Sequence, residues 1–197
     1  MGLRHSSTRS VVAKVAAATL VFAAAGCGFL RGGASAAEEI APINVKSSEF
    51  RQGGALPLEY TCQGSLGSPP LNWSSQPLPK VKTFAVVVDD YSSTSQAVHW
   101  IIYNIDARTT VLAPGIPAEG AKPNDVPPGS KQARLANGKR GYNPPCPESD
   151  GKGNFRFSVY ALSDQLELSE STPLAEILQG IADLTIARGR LTAVNIE

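Results

Sequence analysis

Proline and glycine crowd the segments that connect the apolar runs of this chain, and only one helix is well signalled. There are 15 prolines and 18 glycines in 197 residues, and each proline fixes φ and removes a backbone donor. The segment from Ala113 to Tyr142 holds Pro114, Pro117, Pro123, Pro127 and Pro128. It reads as loop, and a loop of that length inside a compact domain is usually functional or mobile. The exception begins at Thr172. Threonine suits an N-cap and Pro173 fits a first turn, where the missing N–H costs nothing. Leu174, Ile177, Leu178 and Ile181 then recur at helical spacing and give the helix one apolar face.

What remains reads as strand. Val45 to Phe50 and Leu56 to Thr61 flank a Gly53-Gly54 turn signal. Thr83 to Asp90 is apolar throughout at Phe84-Ala85-Val86-Val87-Val88 and ends in two acids, the pattern of a buried strand. His99 to Ile105 is a second β-rich run. In Phe155 to Leu162, Phe155, Phe157 and Val159 alternate with Arg156, Ser158 and Tyr160, as a half-buried strand requires. Arg190 to Ile196 reads as a closing strand. The expected class is mainly β: a β-sandwich of antiparallel-rich sheets with a peripheral C-terminal helix.

The amino terminus has its own logic. Arg4, Arg9 and Lys14 come without an acid and precede an uncharged, largely apolar run from Val15 to Gly26, the layout of a secretory signal. That run is about a dozen residues, short of the roughly twenty needed to cross a bilayer as a helix. Two cleavage sites follow. Ala24-Ala25-Gly26-Cys27 resembles a bacterial lipobox, with Ala24 where leucine is usual, and would leave an acylated Cys27. Ala34-Ser35-Ala36 fits an ordinary small-x-small site. The adopted division is a signal with lipobox over 1–26, a flexible tether over 27–42 and a folded domain over 43–197. The tether assignment follows the Gly-, Ser- and Ala-rich composition of Gly28 to Ala37. The expected location is the extracytoplasmic face of the cell membrane, lipid-anchored, with secretion as the alternative.

Removing residues 1–26 leaves 171, enough for one domain with a real core. It takes three of the 18 lysines and arginines and none of the 17 acids, so 15 basic residues face 17 acidic ones. No basic stripe or like-charge tail remains, which speaks against nucleic acid as a partner. Cys62 and Cys146 survive either cleavage. In an oxidising compartment they read first as a disulfide and otherwise as two buried thiols.

Three segments then combine: Ser68-Pro69-Pro70-Leu71-Asn72-Trp73, Phe84 to Asp90 leading to Val98-His99-Trp100, and Gly141-Tyr142-Asn143-Pro144-Pro145-Cys146-Pro147 before Phe155 to Leu162. Their order and spacing resemble the phosphatidylethanolamine-binding protein family, especially its bacterial Raf-kinase-inhibitor-like branch, over nearly all of Val45 to Val194. In that family a strand ends in an Asp-Pro-Asp-x-Pro loop, a His-Trp or His-Phe pair opens the next strand, and a Gly-Tyr-x-x-Pro segment walls a small anion pocket. The resemblance therefore implies a ligand site at Asp90 and His99, walled by Tyr142, Pro144, Pro145 and Pro147 with Trp73. It implies an anionic small molecule or phospholipid head group as ligand. Inhibition of a kinase or serine protease by protein contact is a second implied role, and an exported chain would meet an envelope partner. The chain departs from the family at Tyr91-Ser92-Ser93-Thr94 and at Gly153-Asn154-Phe155, where a His-Arg-Tyr is expected.

The residues can also be read without the family. A carboxylate at Asp90 favours the charged form of a neighbouring His99, whose reference pKa is about 6.5. A charged imidazole with loop N–H groups can hold a phosphate or carboxylate oxygen, with Asp90 orienting the ring. The plainer alternatives are a structural His99 beside Trp100, Asp90 as a turn cap, and Trp73 and Tyr142 as packing. Asp89 reads as a solvated neighbour, because adjacent strand residues face opposite ways. His99 is the only mature histidine, so a zinc site would have to be built from His99, Cys146 and Asp90. Ser92, Ser93 and Ser95 lie near His99 in sequence but lack a nucleophile-elbow pattern, and no phosphate-cradling Gly-x-x-x-x-Gly-Lys is present. The expectation is a binding protein without cofactor or metal, not an enzyme.

Overall fold

The computed structural model describes residues 40–74, 80–91, 97–117, 122, 125–146, 153–169 and 171–196. Cys27, the expected signal segment over 1–26 and most of the expected tether over 27–42 lie outside them. The elements are β1 (Ala41–Pro42), β2 (Val45–Lys46), β3 (Gly54–Leu56), β4 (Leu71–Trp73), β5 (Thr83–Asp90), β6 (Ala97–Asp106), β7 (Val111–Leu112), β8 (Lys131–Gln132), β9 (Asn154–Leu162), α1 (Leu174–Leu184) and β10 (Thr185–Ile196). Seven strands form the main sheet, in the order β1-β10-β9-β5-β6-β8 with β3 also on β10. A smaller sheet runs β2-β4-β7. All pairings are antiparallel except those of β1 and β3 with β10.

The apolar run in β5 is explained by its neighbours. Phe84, Val86 and Val88 join a core shared with Leu71, Trp73 and Leu112 of the small sheet. Ala85 and Val87 join a second core under Ile177 and Ile181 of α1. A strand covered on both faces has no solvent-facing positions for polar residues. Each large side chain so buried contributes about 1.5 to 3 kcal/mol. In β9 the alternation divides likewise, with Phe155, Phe157 and Val159 in the first core and Tyr160 and Leu162 against the second.

Several local expectations change: of Val45 to Phe50 only Val45–Lys46 is strand, and Leu56 to Thr61 is not a strand but holds a 3-10 turn at Leu58–Tyr60, after Gly54–Leu56 has paired with β10. Thr172 does not cap α1: Pro173 is the N-cap residue, its carbonyl accepts from Glu176 and Ile177, and Thr172 Oγ1 lies 3.1 Å from Ser169 Oγ. The closing strand is longer than Arg190 to Ile196, because the backbone turns extended at Thr185, directly after the helix. Ala41 and Pro42, allotted to the tether, pair with Ala187 and Arg188. The chain then crosses so close to β10 that a Cβ at Gly189 would lie 2.0 Å from the Ile43 carbonyl oxygen.

Cys62 and Cys146 are joined by a disulfide with their Cα atoms 5.2 Å apart across 84 residues of sequence. The Cys62 N–H also donates to the Pro145 carbonyl at 3.0 Å. Closing a loop of this length is worth about 4 kcal/mol in the chain-entropy description. Replacing both cysteines with serine should therefore lower the free energy of unfolding by up to about 4 kcal/mol in urea titrations. An unchanged midpoint and slope would contradict this.

Candidate functional site

His99 owes its position to an irregularity in the sheet. Val88 pairs with Trp100 and Asp89 with Val98, so His99 is one residue too many for the ladder. Such a bulge re-aims a side chain. Trp100 remains in the first core, edge-on to Tyr142 at 5.8 Å, while Val98 packs against the second. The His99 ring meets Phe155 edge-on, with centroids 6.0 Å apart.

Asn143 holds His99 at two points. Its N–H donates to the His99 carbonyl at 2.9 Å, and its own carbonyl lies 3.2 Å from His99 Nδ1. A carbonyl can only accept, so Nδ1 carries a proton and Nε2 of the neutral ring is an acceptor. Burial lowers the His99 pKa from its ordinary 6.5, while the Asn143 carbonyl and then the charges of Asp90 and Asp89 push the other way without prevailing. Burial thus favours the neutral imidazole, against the charged ring that Asp90 alone would favour. Asp90 acts on it through its charge, and the Asn143 carbonyl orients it. Asp90 pairs with Ala97 and Phe155 at this same end of the sheet.

The expected pocket wall is only partly assembled. Pro144 is half-buried and Pro145 buried, directly after Asn143. Pro147 lies outside the described residues, as do Ser92, Ser93 and Ser95. Tyr142 is a packing residue: it is fully buried, its hydroxyl donates to the Tyr60 carbonyl at 2.8 Å, and burial pushes its pKa well above the ordinary 10.0. Trp73 stands at the other end of β5, edge-on to Phe84 at 5.5 Å. Phe84 and Asp90 are six residues apart on one strand, or about 20 Å, so Trp73 cannot line a site at Asp90. Ser68 is also structural, since its buried Oγ accepts from the Ile116 N–H at 3.2 Å.

Asp89 is not a solvated neighbour. It is buried and makes a two-point ion pair with Arg156, which stands directly opposite on β9: Nε to Oδ1 is 3.0 Å, and Nη2 bonds Oδ2. The Arg156 guanidinium also lies 5.1 Å from the centroid of the Tyr91 ring. This cluster faces α1, on the opposite side of the sheet from Asp90, because alternate residues of a strand face opposite ways. An acid ending an apolar run and an arginine alternating with apolar strand positions are visible in sequence. Their register was not.

Gly153 and Phe155 fit as a pair. A Cβ at Gly153 would lie 2.4 Å from the tip of the Phe155 ring, so the phenyl fills the volume a side chain at 153 would need. A zinc site from His99, Cys146 and Asp90 is ruled out by chemistry, since Cys146 is committed to the disulfide. Among the described residues no three metal-ligating side chains converge.

The family model described as phosphatidylethanolamine-binding protein matches residues 46–196. The UPF0098 protein of Methanothermobacter thermautotrophicus is 33% identical over 150 residues, covering 76% of this chain and 95% of that protein. The LppC protein of Mycobacterium tuberculosis, whose name describes a lipoprotein, is 30% identical over 152 residues, covering 76% and 70%. Among solved structures, Escherichia coli YbcL, titled a member of the mammalian PEBP family, aligns with a TM-score of 0.70 at 27% identity, covering 79% of this chain and 98% of its own. The phosphatidylethanolamine-binding protein homologue CT736 of Chlamydia trachomatis aligns with a TM-score of 0.65 at 27% identity, covering 81% and 99%. Sequence match, sheet architecture and C-terminal helix agree: the chain belongs to the phosphatidylethanolamine-binding protein family.

Proposed function

We propose that this is an exported, lipid-anchored binding protein, not an enzyme, and that its ligand carries a phosphate or comparable anionic group held beside Asp90 and His99. The observation that carries the reading is the bulged His99, with its ring oriented by the Asn143 carbonyl next to an acid. Such an imidazole has one ring nitrogen left for a ligand. While neutral, Nε2 accepts from a protonated phosphate oxygen or an amine; once protonated, it donates to an ionised oxygen.

The sign of the pH dependence follows. Burial lowers the His99 pKa, so the neutral ring contributes stability that is full above about pH 6.5 and is lost as pH falls through the lower folded value. An ionised phosphate prefers the protonated ring, so its affinity should rise as pH falls through that same window below 6.5. His99 is the only histidine outside the signal segment, which makes its resonances unambiguous. An NMR titration of the free protein should give a midpoint below 6.5, moving upward when phosphoethanolamine is added. His99→Ala should weaken phosphoethanolamine binding about ten- to a hundredfold at acidic pH, the loss of one charge-assisted hydrogen bond. A midpoint that ignores the ligand, or equal affinities for wild type and variant, would contradict the proposal.

Export is supported by the short apolar run before Cys27, by a disulfide suited to an oxidising compartment, and by similarity to a protein named as a lipoprotein. Mass spectrometry of the mature amino terminus should find an acylated Cys27. A free terminus near Ala36 or Ala37 would sink the anchor and leave secretion.

A further inference from the structure

On the side of the sheet away from Asp90, α1 does not close completely on β5 and β9. A cavity of about 180 Å³ remains, lined among others by Val87, Tyr160, Leu178, Ile181, Ala182 and Arg188. An apolar cavity of about 150 Å³ is enough to hold a benzene ring. The floor is apolar, with Val87 and Ile181 buried in the second core and Leu178 packed against it.

The rim is different in kind. Arg188 on β10 stands directly opposite Tyr160 on β9, so their side chains share a face and an edge of the cavity. Arg188 is exposed, and among the described residues its guanidinium has no ion pair. The Tyr160 hydroxyl likewise makes no hydrogen bond among them. Thr185, by contrast, is already used: its hydroxyl donates to the Ile181 carbonyl. An apolar chamber of one-ring size, lined also by a cation without an ion pair and a tyrosine whose hydroxyl makes no hydrogen bond among the described residues, matches a molecule with an apolar body and a single negative charge.

We propose that this cavity is a second ligand site, for a small amphipathic carboxylate whose ring or short chain lies between α1 and β5 and whose carboxylate meets Arg188 and Tyr160. Guanidinium and carboxylate match as planar, two-pronged partners. The site does not depend on the reading of Asp90 and His99. Val87 turns its side chain toward α1, whereas Phe155, which meets the His99 ring, lies in the other core, so the sheet stands between the two sites.

Phenylacetate and its neutral counterpart phenylacetamide separate the two parts of the claim. In nitrogen-15 spectra of the mature protein, both should shift the amides of Val87, Leu178 and Ile181 at millimolar concentration. Phenylacetate should bind about fivefold more tightly, the upper end for an ion pair open to solvent. Arg188→Gln, at an exposed position, should abolish that preference while leaving phenylacetamide unaffected. Ala182→Leu, exposed on α1 at the cavity wall, should weaken both probes. No shifts at those three residues, equal affinity for the two probes, or shifts centred on His99 and Asn143 instead would each overturn the proposal.

Discussion

The candidate site depends on one local contact, the double tie between His99 and Asn143. A bulge by itself leaves its extra residue outside the ladder with unmatched backbone groups. Here the loop that follows Tyr142 supplies the match: Asn143 satisfies the His99 carbonyl with its N–H and the imidazole with its carbonyl. That loop is itself fixed on both sides. Tyr142 is pinned to Tyr60 through its hydroxyl, and Cys146 to Cys62 through sulfur, with the Pro145 carbonyl also taken by the Cys62 N–H. The imidazole is therefore positioned by groups that begin more than eighty residues apart along the chain.

The acids beside it divide the work according to strand geometry. Asp89 turns toward α1 and clamps β5 to β9 through Arg156, while Asp90, one residue on, belongs to the His99 side. Burying an ion pair is costly unless its geometry is good, and removing one partner alone leaves a buried charge. A two-point contact across directly opposed strand positions meets that requirement. It also fixes the end of β5 from which Asp90 projects. The aromatic pair of Phe155 and His99, made compatible by the absence of a side chain at Gly153, closes the core just beneath.

Much of the architecture was legible in sequence because it depends on local pattern. The apolar run of β5, the alternation in β9 and the helical spacing of Ile177 and Ile181 each declare an element and a face. What could not be read were quantities set by pairing. Nothing local distinguishes a bulged His99 from an ordinary strand residue, or Asp89 on a covered face from Asp90 beside it. Trp73 and Tyr142 were assigned to the site from motif order, yet the first lies at the wrong end of β5 and the second spends its hydroxyl inside the core. The effect of burial on His99 was hidden for a similar reason. Its neighbouring acids were visible, but the burial that outweighs them depends on how the folded chain packs around the ring.

The central claim is that His99, held by Asn143 beside Asp90, is where this protein meets a phosphate-bearing ligand. A crystal structure of the mature protein grown with phosphoethanolamine tests it most directly. The account predicts a phosphoryl group within hydrogen-bond distance of His99 Nε2, with the Nδ1 contact to Asn143 intact. A phosphoryl group bound elsewhere while that position is empty, or a His99 Nε2 occupied by another protein group, would contradict it.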